Sequence, residues 1–249
     1  MPLGSGTLIT GASSGLGAEI AVHLSASRRL VLHGRDLDRL ERVRSRCERP
    51  HDHDVWTHDL RDVTGVEPAL RDLLTTREIS IEAFVHCAGM LKVLPMRDVG
   101  PALAADTMAV NVLSAAEIVR QLIKKKVNGA ALRHVVFISS TASLFGARGF
   151  NLYCASKGAL DALMRALAVE LAPGVRVNSV LPGAVRTQMT DQMFADPVLG
   201  ARLAADYPLG VGQPSDVVSA VAFLLSDGAR WVTGQQLVVD GGRTVNITA

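Results

Sequence analysis

The sequence predicts a doubly wound α/β domain built on a parallel seven-stranded sheet, and three observations carry that reading. Apolar runs of strand length alternate with helical stretches along the whole chain. Most of these runs are apolar throughout rather than alternating, the pattern of strands covered by helices on both faces. A glycine-rich turn, Thr10-Gly11-Ala12-Ser13-Ser14-Gly15-Leu16-Gly17, joins the first run to the first helix. With 249 residues, 48% hydrophobic and 20% charged, the chain has the apolar content for a substantial core and is not disordered.

The strands are predicted at 7–10, 30–33, 55–57, 83–87, 134–139, 175–180 and 236–239. Helices are predicted between them at 15–26, 37–46, 63–75, 101–125, 152–171 and 215–226. This order is that of a doubly wound sheet. Several boundaries carry their own signals. Asp36 is placed to cap the second helix, with Asp38 and Glu41 adding negative charge to its start. Pro101 suits the first turn of the fourth, where its missing N–H has no partner to lose. Pro173-Gly174 stops the fifth, and Gln213-Pro214-Ser215-Asp216 opens the last. No repeat, low-complexity segment or linker divides the chain, so residues 1–249 are expected to form one domain.

Composition excludes some partners. The net charge is +2 and no basic stripe carries interleaved aromatics, so nucleic acid is not expected. Lys124-Lys125-Lys126 is read as a solvated helix C-terminus. No targeting segment and no membrane span are expected, since no apolar run approaches the roughly 20 residues a span needs. Cys47, Cys87 and Cys154 form no paired motif and are read as reduced thiols in a cytoplasmic protein, with Cys154 a small buried filler. His51-Asp52-His53-Asp54 has metal-ligand types without ligand spacing and is read as a solvated turn. His23, His33, His58 and His134 have no evident catalytic partner.

Three features carry chemistry. Glycine lets a backbone approach a ligand that a Cβ would hold off, and the following helix points free N–H groups at a diphosphate. Such turns also occur as bare connections, and three residues separate the first two glycines here, unlike the usual dinucleotide fingerprint. Tyr153 and Lys157 stand four apart on one helical face. A phenol of pKa ~10 is a poor acid–base group at neutral pH, and a neighbouring ammonium is expected to lower it. Ser140 leaves the fifth strand at the edge of the sheet where the glycine-rich turn lies. Its hydroxyl is a candidate donor to a carbonyl oxygen.

The chain resembles the compact, single-domain branch of the short-chain dehydrogenase/reductase family over essentially its whole length. The matching pieces are Thr10-Gly11-x-x-x-Gly15-x-Gly17, Asp59-Leu60, Cys87-Ala88-Gly89, Asn111, Ser140, Tyr153-x-x-x-Lys157, Pro182-Gly183 with Thr187, and Val239-Asp240-Gly241-Gly242. The resemblance implies a Rossmann-type fold and a hydride transfer between a nicotinamide and a carbonyl or secondary alcohol. It implies Tyr153 as the acid–base residue, Lys157 lowering its pKa and holding the nicotinamide ribose, Ser140 polarising the carbonyl, and Asn111 keeping a water-linked proton relay. Cofactor contacts are implied for Gly11, Ser13, Ser14, Gly15, Leu16, Gly17, Asp59 beside the adenine, Leu60, Cys87, Ala88 and Gly89. Pro182, Gly183, Val185 and Thr187 are implied at the nicotinamide end. Where the family often has Asn-Asn, this chain has His86-Cys87.

The second strand leads into Gly34-Arg35 where NAD-preferring members carry an acidic residue. Arg35 can pair with a 2′-phosphate, so NADP(H) is expected over NAD(H), on Arg35 alone. Residues 186–212 are expected to form a lid. Met189, Met193 and Phe194, with Leu144, Phe145 and Phe150, are candidates for an apolar pocket or for plain packing. The pattern is most similar to 3-oxoacyl-acyl-carrier-protein reductases, implying ketone reduction with NADPH. Sugar, steroid or small-alcohol dehydrogenases of the family remain open, as does a nucleotide-sensing protein without turnover. A nucleotide-sugar epimerase would normally need a separate C-terminal domain. A carrier-protein partner would need basic residues at the entrance, for which Arg97, Arg148 and Arg202 are candidates. A homo-oligomer, most simply a tetramer, is expected.

Overall fold

Leu8 and Ile9 are consecutive and both fully buried, one on each face of a sheet. The same alternation recurs at Val31 and Leu32, Phe84 and Val85, and Val135 and Val136. Each strand is therefore apolar on both sides, and only a layer of helices on each face can cover it. The computed structural model describes residues 4–187, 190, 200–201 and 205–246. Its strands are β1 (Gly4–Thr10), β2 (Arg29–Gly34), β3 (Asp54–Thr57), β4 (Ile79–His86), β5 (His134–Ile138), β6 (Arg176–Pro182) and β7 (Gln236–Val239). All pair in parallel, in the order β3-β2-β1-β4-β5-β6-β7. The predicted fold class holds.

One face is covered by α1 (Gly15–Leu24), α2 (Leu37–Arg44) and α8 (Pro214–Leu224), through Ile20, Leu40 and Val221 among others. The other face carries α3 (Val66–Thr76), α5 (Ser114–Leu122) and α7 (Asn151–Glu170), through Leu70, Ile118 and Met164. The order of the strands reverses between β1 and β4, and there the chain leaves the sheet toward opposite faces. That divergence opens a crevice at the carboxyl ends of the strands.

Several boundaries differ from expectation. Strand β4 begins at Ile79, earlier than residue 83, because Asn128 clamps its start: Ile81 N–H donates to Asn128 Oδ1 at 2.6 Å and Asn128 Nδ2 donates back to Ile81 O at 2.9 Å. The predicted helix 101–125 is α4 (Pro101–Met108), a π-helical turn over Ala109–Leu113, and α5. As one 22-residue stretch, Pro101–Leu122 is long and apolar enough to cross a membrane, contrary to expectation. Its Val112, Ala115, Ile118, Val119 and Leu122 are buried against the sheet. Lys125 and Lys126 do not end that helix. They open the short α6 (Lys125–Asn128), while Lys124 Nζ donates to Gln121 at 3.0 Å. Nor is 51–54 simply a solvated turn. His53 is 2% exposed, takes the Leu30 N–H at 3.2 Å and bonds Glu48 O at 2.8 Å. Asp54 pairs with Arg29 at 2.8 Å.

Candidate active site

The crevice between β1 and β4 is a cleft of about 730 Å³. Its floor is built from strand ends. Thr10 Oγ1, at the end of β1, lies 2.9 Å from His86 Nδ1 at the end of β4, and it accepts from Ala88 N at 3.3 Å. His86 is fully buried, and burial holds its ring down to about 3, so it is neutral. The departure from the family's asparagine thus places a neutral imidazole under the turn.

Above this floor the glycine-rich turn packs against itself. A Cβ on Gly17 would lie 2.2 Å from the Gly11 carbonyl oxygen, so the start of α1 approaches the turn closely only through glycine. Gly15 has φ +55°, and a Cβ there would meet nothing nearer than Thr187 at 3.7 Å, across the cleft. Ser14, the N-cap residue of α1, makes no side-chain capping bond, and no acidic residue stands in the first turn. Among the described residues nothing accepts from the N–H groups of Gly15, Leu16 or Gly17. An uncapped helix N-terminus beside open space is a cradle for a diphosphate. The residues present therefore fit a dinucleotide.

All the expected cofactor-contact residues line this one cleft: Gly11, Ser13, Ser14, Gly15, Leu16, Gly17, Arg35, Asp59, Leu60, Cys87, Ala88, Gly89, Tyr153, Lys157, Pro182, Gly183, Val185 and Thr187. Arg35 stands at the far end beside Arg39, which the sequence reading did not single out. Arg35 lies just before the α2 cap and Arg39 in the first turn, so two arginines four apart at a strand-to-helix turn were the available signal. Asp36 turns away from this role, its Oδ1 accepting from Arg39 N at 3.0 Å to cap α2. Asp59 accepts from Arg61 Nε at 2.9 Å, and the Arg61 guanidinium brings its carboxyl down to about 2. Burial pushes the Cys87 thiol up to about 12, leaving it protonated. The three cysteines are free thiols, and Cys154 is only partly buried.

Ser140, Tyr153 and Lys157 meet at the opposite end, where β5 stops and α7 starts. Tyr153 stands in the first turn of α7, and Phe150 sets the edge of its ring at 6.1 Å between centroids. Lys157, 3% exposed, donates to Ile138 O at 2.8 Å with its Nζ 5.7 Å from the Tyr153 ring centroid. The expected lowering of the phenol does not occur in this arrangement. Desolvation dominates and pushes Tyr153 up to about 12, with the Ser140 hydroxyl pulling it partway back. The ammonium lies over the ring face and spends a proton on a carbonyl. Burial also brings Lys157 down to about 8.

Asn111 lies behind the wall of the cleft rather than on its surface. Set in the π-helical turn and fully buried, it accepts from Met90 N at 2.7 Å and donates to Met90 O at 3.1 Å and Ser156 Oγ at 2.9 Å. Its amide therefore fixes the segment after Gly89. Met90, Leu91 and Lys92 of that segment also line the cleft and were not anticipated. At the base of the expected lid, Val185 bridges to Gly212, and Ala184 N donates to the Tyr207 hydroxyl at 2.8 Å. Met189, Met193, Phe194 and Arg202 lie outside the described residues. Leu144 and Phe145 are 51% and 41% exposed and do not line the cleft.

A family model described as enoyl-(acyl carrier protein) reductase matches residues 11–244. D-erythrulose reductase of Gallus gallus is 34% identical, over 98% of this chain and 97% of its own length. A 3-oxoacyl-[acyl-carrier-protein] reductase of Rickettsia prowazekii is 30% identical over 96% of both. Among solved structures, a protein from Agrobacterium tumefaciens assigned as a gluconate dehydrogenase superposes with TM-score 0.91 at 27% identity, covering 98% of each chain. 4-Hydroxyisoleucine dehydrogenase in complex with NADH gives 0.89 at 26% identity, over 96% and 98%. A Beutenbergia cavernae protein assigned as an NAD(P)-dependent gluconate 5-dehydrogenase, with bound NADP, gives 0.88 at 30% identity over 99% and 100%.

Proposed function

This chain belongs to the short-chain dehydrogenase/reductase family, whose members are nicotinamide-dependent oxidoreductases of alcohols and ketones, and on that premise we propose that it reduces a ketone with NADPH. The observation that carries the reading is the convergence of Ser140, Tyr153 and Lys157 at one end of a cleft whose other end presents a bare helix N-terminus beside Arg35 and Arg39. When bound, the nicotinamide supplies the hydride. The Ser140 hydroxyl orients the carbonyl oxygen, and the Tyr153 hydroxyl gives it a proton as the carbon is reduced. A phenol near 12 keeps its proton at neutral pH, which suits a donor in the reductive direction. Lys157 stabilises the resulting phenolate, and solvent returns the proton. Asn111 acts as a positioning residue through Met90.

Arg35, reinforced by Arg39, favours the extra phosphate of NADP(H). The relatives leave this choice open, since one solved neighbour holds NADH and another NADP. The relatives' substrates are equally mixed, and an acyl-carrier-bound ketone is one member of the set. We further propose a cytoplasmic homo-oligomer, a tetramer. Its free thiols suit a reducing compartment, and Trp231 is 96% exposed beside a half-exposed edge strand β7. Sedimentation of a monomer at micromolar concentration would refute the assembly.

The test is oxidation of NADPH and NADH against a panel of ketones, with Tyr153→Phe and Arg35→Ala. Tyr153→Phe is expected to lower kcat about 10²–10⁴-fold while cofactor binding persists. Arg35→Ala is expected to weaken NADPH and spare NADH. NADPH binding with no turnover of any ketone would instead favour a sensor, and equal use of both cofactors by Arg35→Ala and the parent would end the NADP assignment.

A further inference from the structure

Among the described residues four cations line the cleft, and three have a task. Arg35 and Arg39 stand at the α2 end, and Lys157 donates to Ile138 O beneath Tyr153. The fourth, Lys92, stands at the Tyr153 end, where it also lines a small adjoining cavity shared with Met90 and Tyr153. It is exposed, and no ion pair among the described residues involves it. Asp59, paired with Arg61 at the opposite end, is the single carboxylate among the described lining residues.

The backbone around Lys92 is fixed on both sides. Two residues before it, Met90 is held by the paired bonds to Asn111. Two residues after it, Leu94 N donates to Gly149 O at 3.0 Å, and Leu94 O accepts from Asn151 Nδ2 at 2.9 Å. Both clamps lead back to the reacting centre, one through the π-helical turn and one through the first residue of α7. A lysine on a backbone fixed in this way, exposed at the cleft beside Met90 and Leu91 with no counterion among the described residues, is a recognition point for an anionic group.

Resting on the carbonyl-reduction reading above, we propose that Lys92 recognises a carboxylate on the substrate, which is an oxo acid reduced to its hydroxy acid. Of the two lysines at that end, Lys157 is committed to Ile138 O, so among the described residues Lys92 alone is left to meet an anion, which matches a monoanion better than a phosphate dianion. Lys92 is a specificity residue, and the reacting carbonyl stays with Ser140 and Tyr153.

The test compares straight-chain 3-oxo acids with their methyl esters under saturating NADPH, in the parent and in Lys92→Met and Lys92→Arg. The parent is expected to prefer the acid in kcat/KM by about 10-fold, the scale of one charge contact. In Lys92→Met the acid-to-ester ratio falls toward unity, mostly through KM, and Lys92→Arg restores most of it. Calorimetric binding of butanoate, butanamide and inorganic phosphate to the NADP-loaded protein gives a readout free of turnover. Butanoate should bind in the parent and weaken in Lys92→Met. Equal use of acid and ester, or a preference unchanged in Lys92→Met, overturns the proposal, as does phosphate binding tighter than butanoate. Lys92-dependent butanoate binding without turnover of any ketone would support the site and defeat the reductase reading.

Discussion

The N-termini of α1 and α2 lie at the same edge of the sheet and are built in opposite ways. At α2, Asp36 caps the first turn and Asp38 adds a second negative charge, so the end is satisfied by its own residues. At α8, the Asp216 carboxylate accepts from Gln213 N at 2.7 Å to the same effect. At α1 the N-cap Ser14 forms no such bond and no acid follows. At α2 and α8 local side chains close the helix end, whereas the α1 end that faces the cleft is left open for a negative partner.

The two turns also rest on similar foundations, and acid should attack both. His86 lies under the turn into α1 and His33 precedes the turn into α2. Burial holds both rings down to about 3. The unfolded chain protonates such residues near 6.5, so it binds more protons than the native state between pH 6.5 and 3. Stability is unaffected above that window and falls as pH drops through it, by up to about 1.4 kcal/mol per pH unit for each ring. Asp59, lowered from 3.8 to about 2, acts only as pH falls through the carboxylate range, so unfolding midpoints between about pH 4.5 and 6.5 report chiefly the histidines, His134 and His53 among them. Because burial also lowers His134 and His53, His86→Asn should remove roughly a third of that slope or less, and an unchanged slope would mean His86 is charged or exposed.

Gly17→Ala is expected to come next in size. Its Cβ would press on the Gly11 carbonyl, costing roughly 1–3 kcal/mol of stability and opening the turn that α1 depends on. Cofactor affinity should fall with it, measured by fluorescence titration. Ser14→Asp separates the two effects. Giving α1 the cap that α2 already has should leave the melting temperature unchanged or raised, while the added carboxylate weakens NADPH by about 10-fold. If NADPH binds Ser14→Asp as tightly as the parent, the diphosphate does not sit at that helix end. The reciprocal change, Asp36→Ala, should cost about 1 kcal/mol of stability with little loss of NADPH affinity.

Much of this contrast was legible in the chain. Asp36, Pro101 and the Gln213–Asp216 start were readable because capping is settled within four residues. The apolar runs placed all seven strands, with errors of a few residues at their ends. The missed start of β4 depends on Asn128, 47 residues away from Ile81. The break in the long helix at Ala109–Leu113 left no mark on its composition. Nothing in the local sequence marks Lys92, because the bonds that fix the segment on either side of it come from Asn111 and Gly149.

The order of residue types along the chain was thus enough to establish a doubly wound sheet, a glycine-rich turn into the first helix and a Tyr153–Lys157 pair on one helical face, because periodicity, capping and glycine spacing are short-range. Where those groups stand relative to solvent and to one another depended on the packed molecule. Folding half-buries Tyr153 and sets the Lys157 ammonium against its ring face, and desolvation raises the phenol to about 12 where spacing alone implied a fall. Desolvation is a sum over every neighbour that excludes water, and most of those neighbours are distant in sequence.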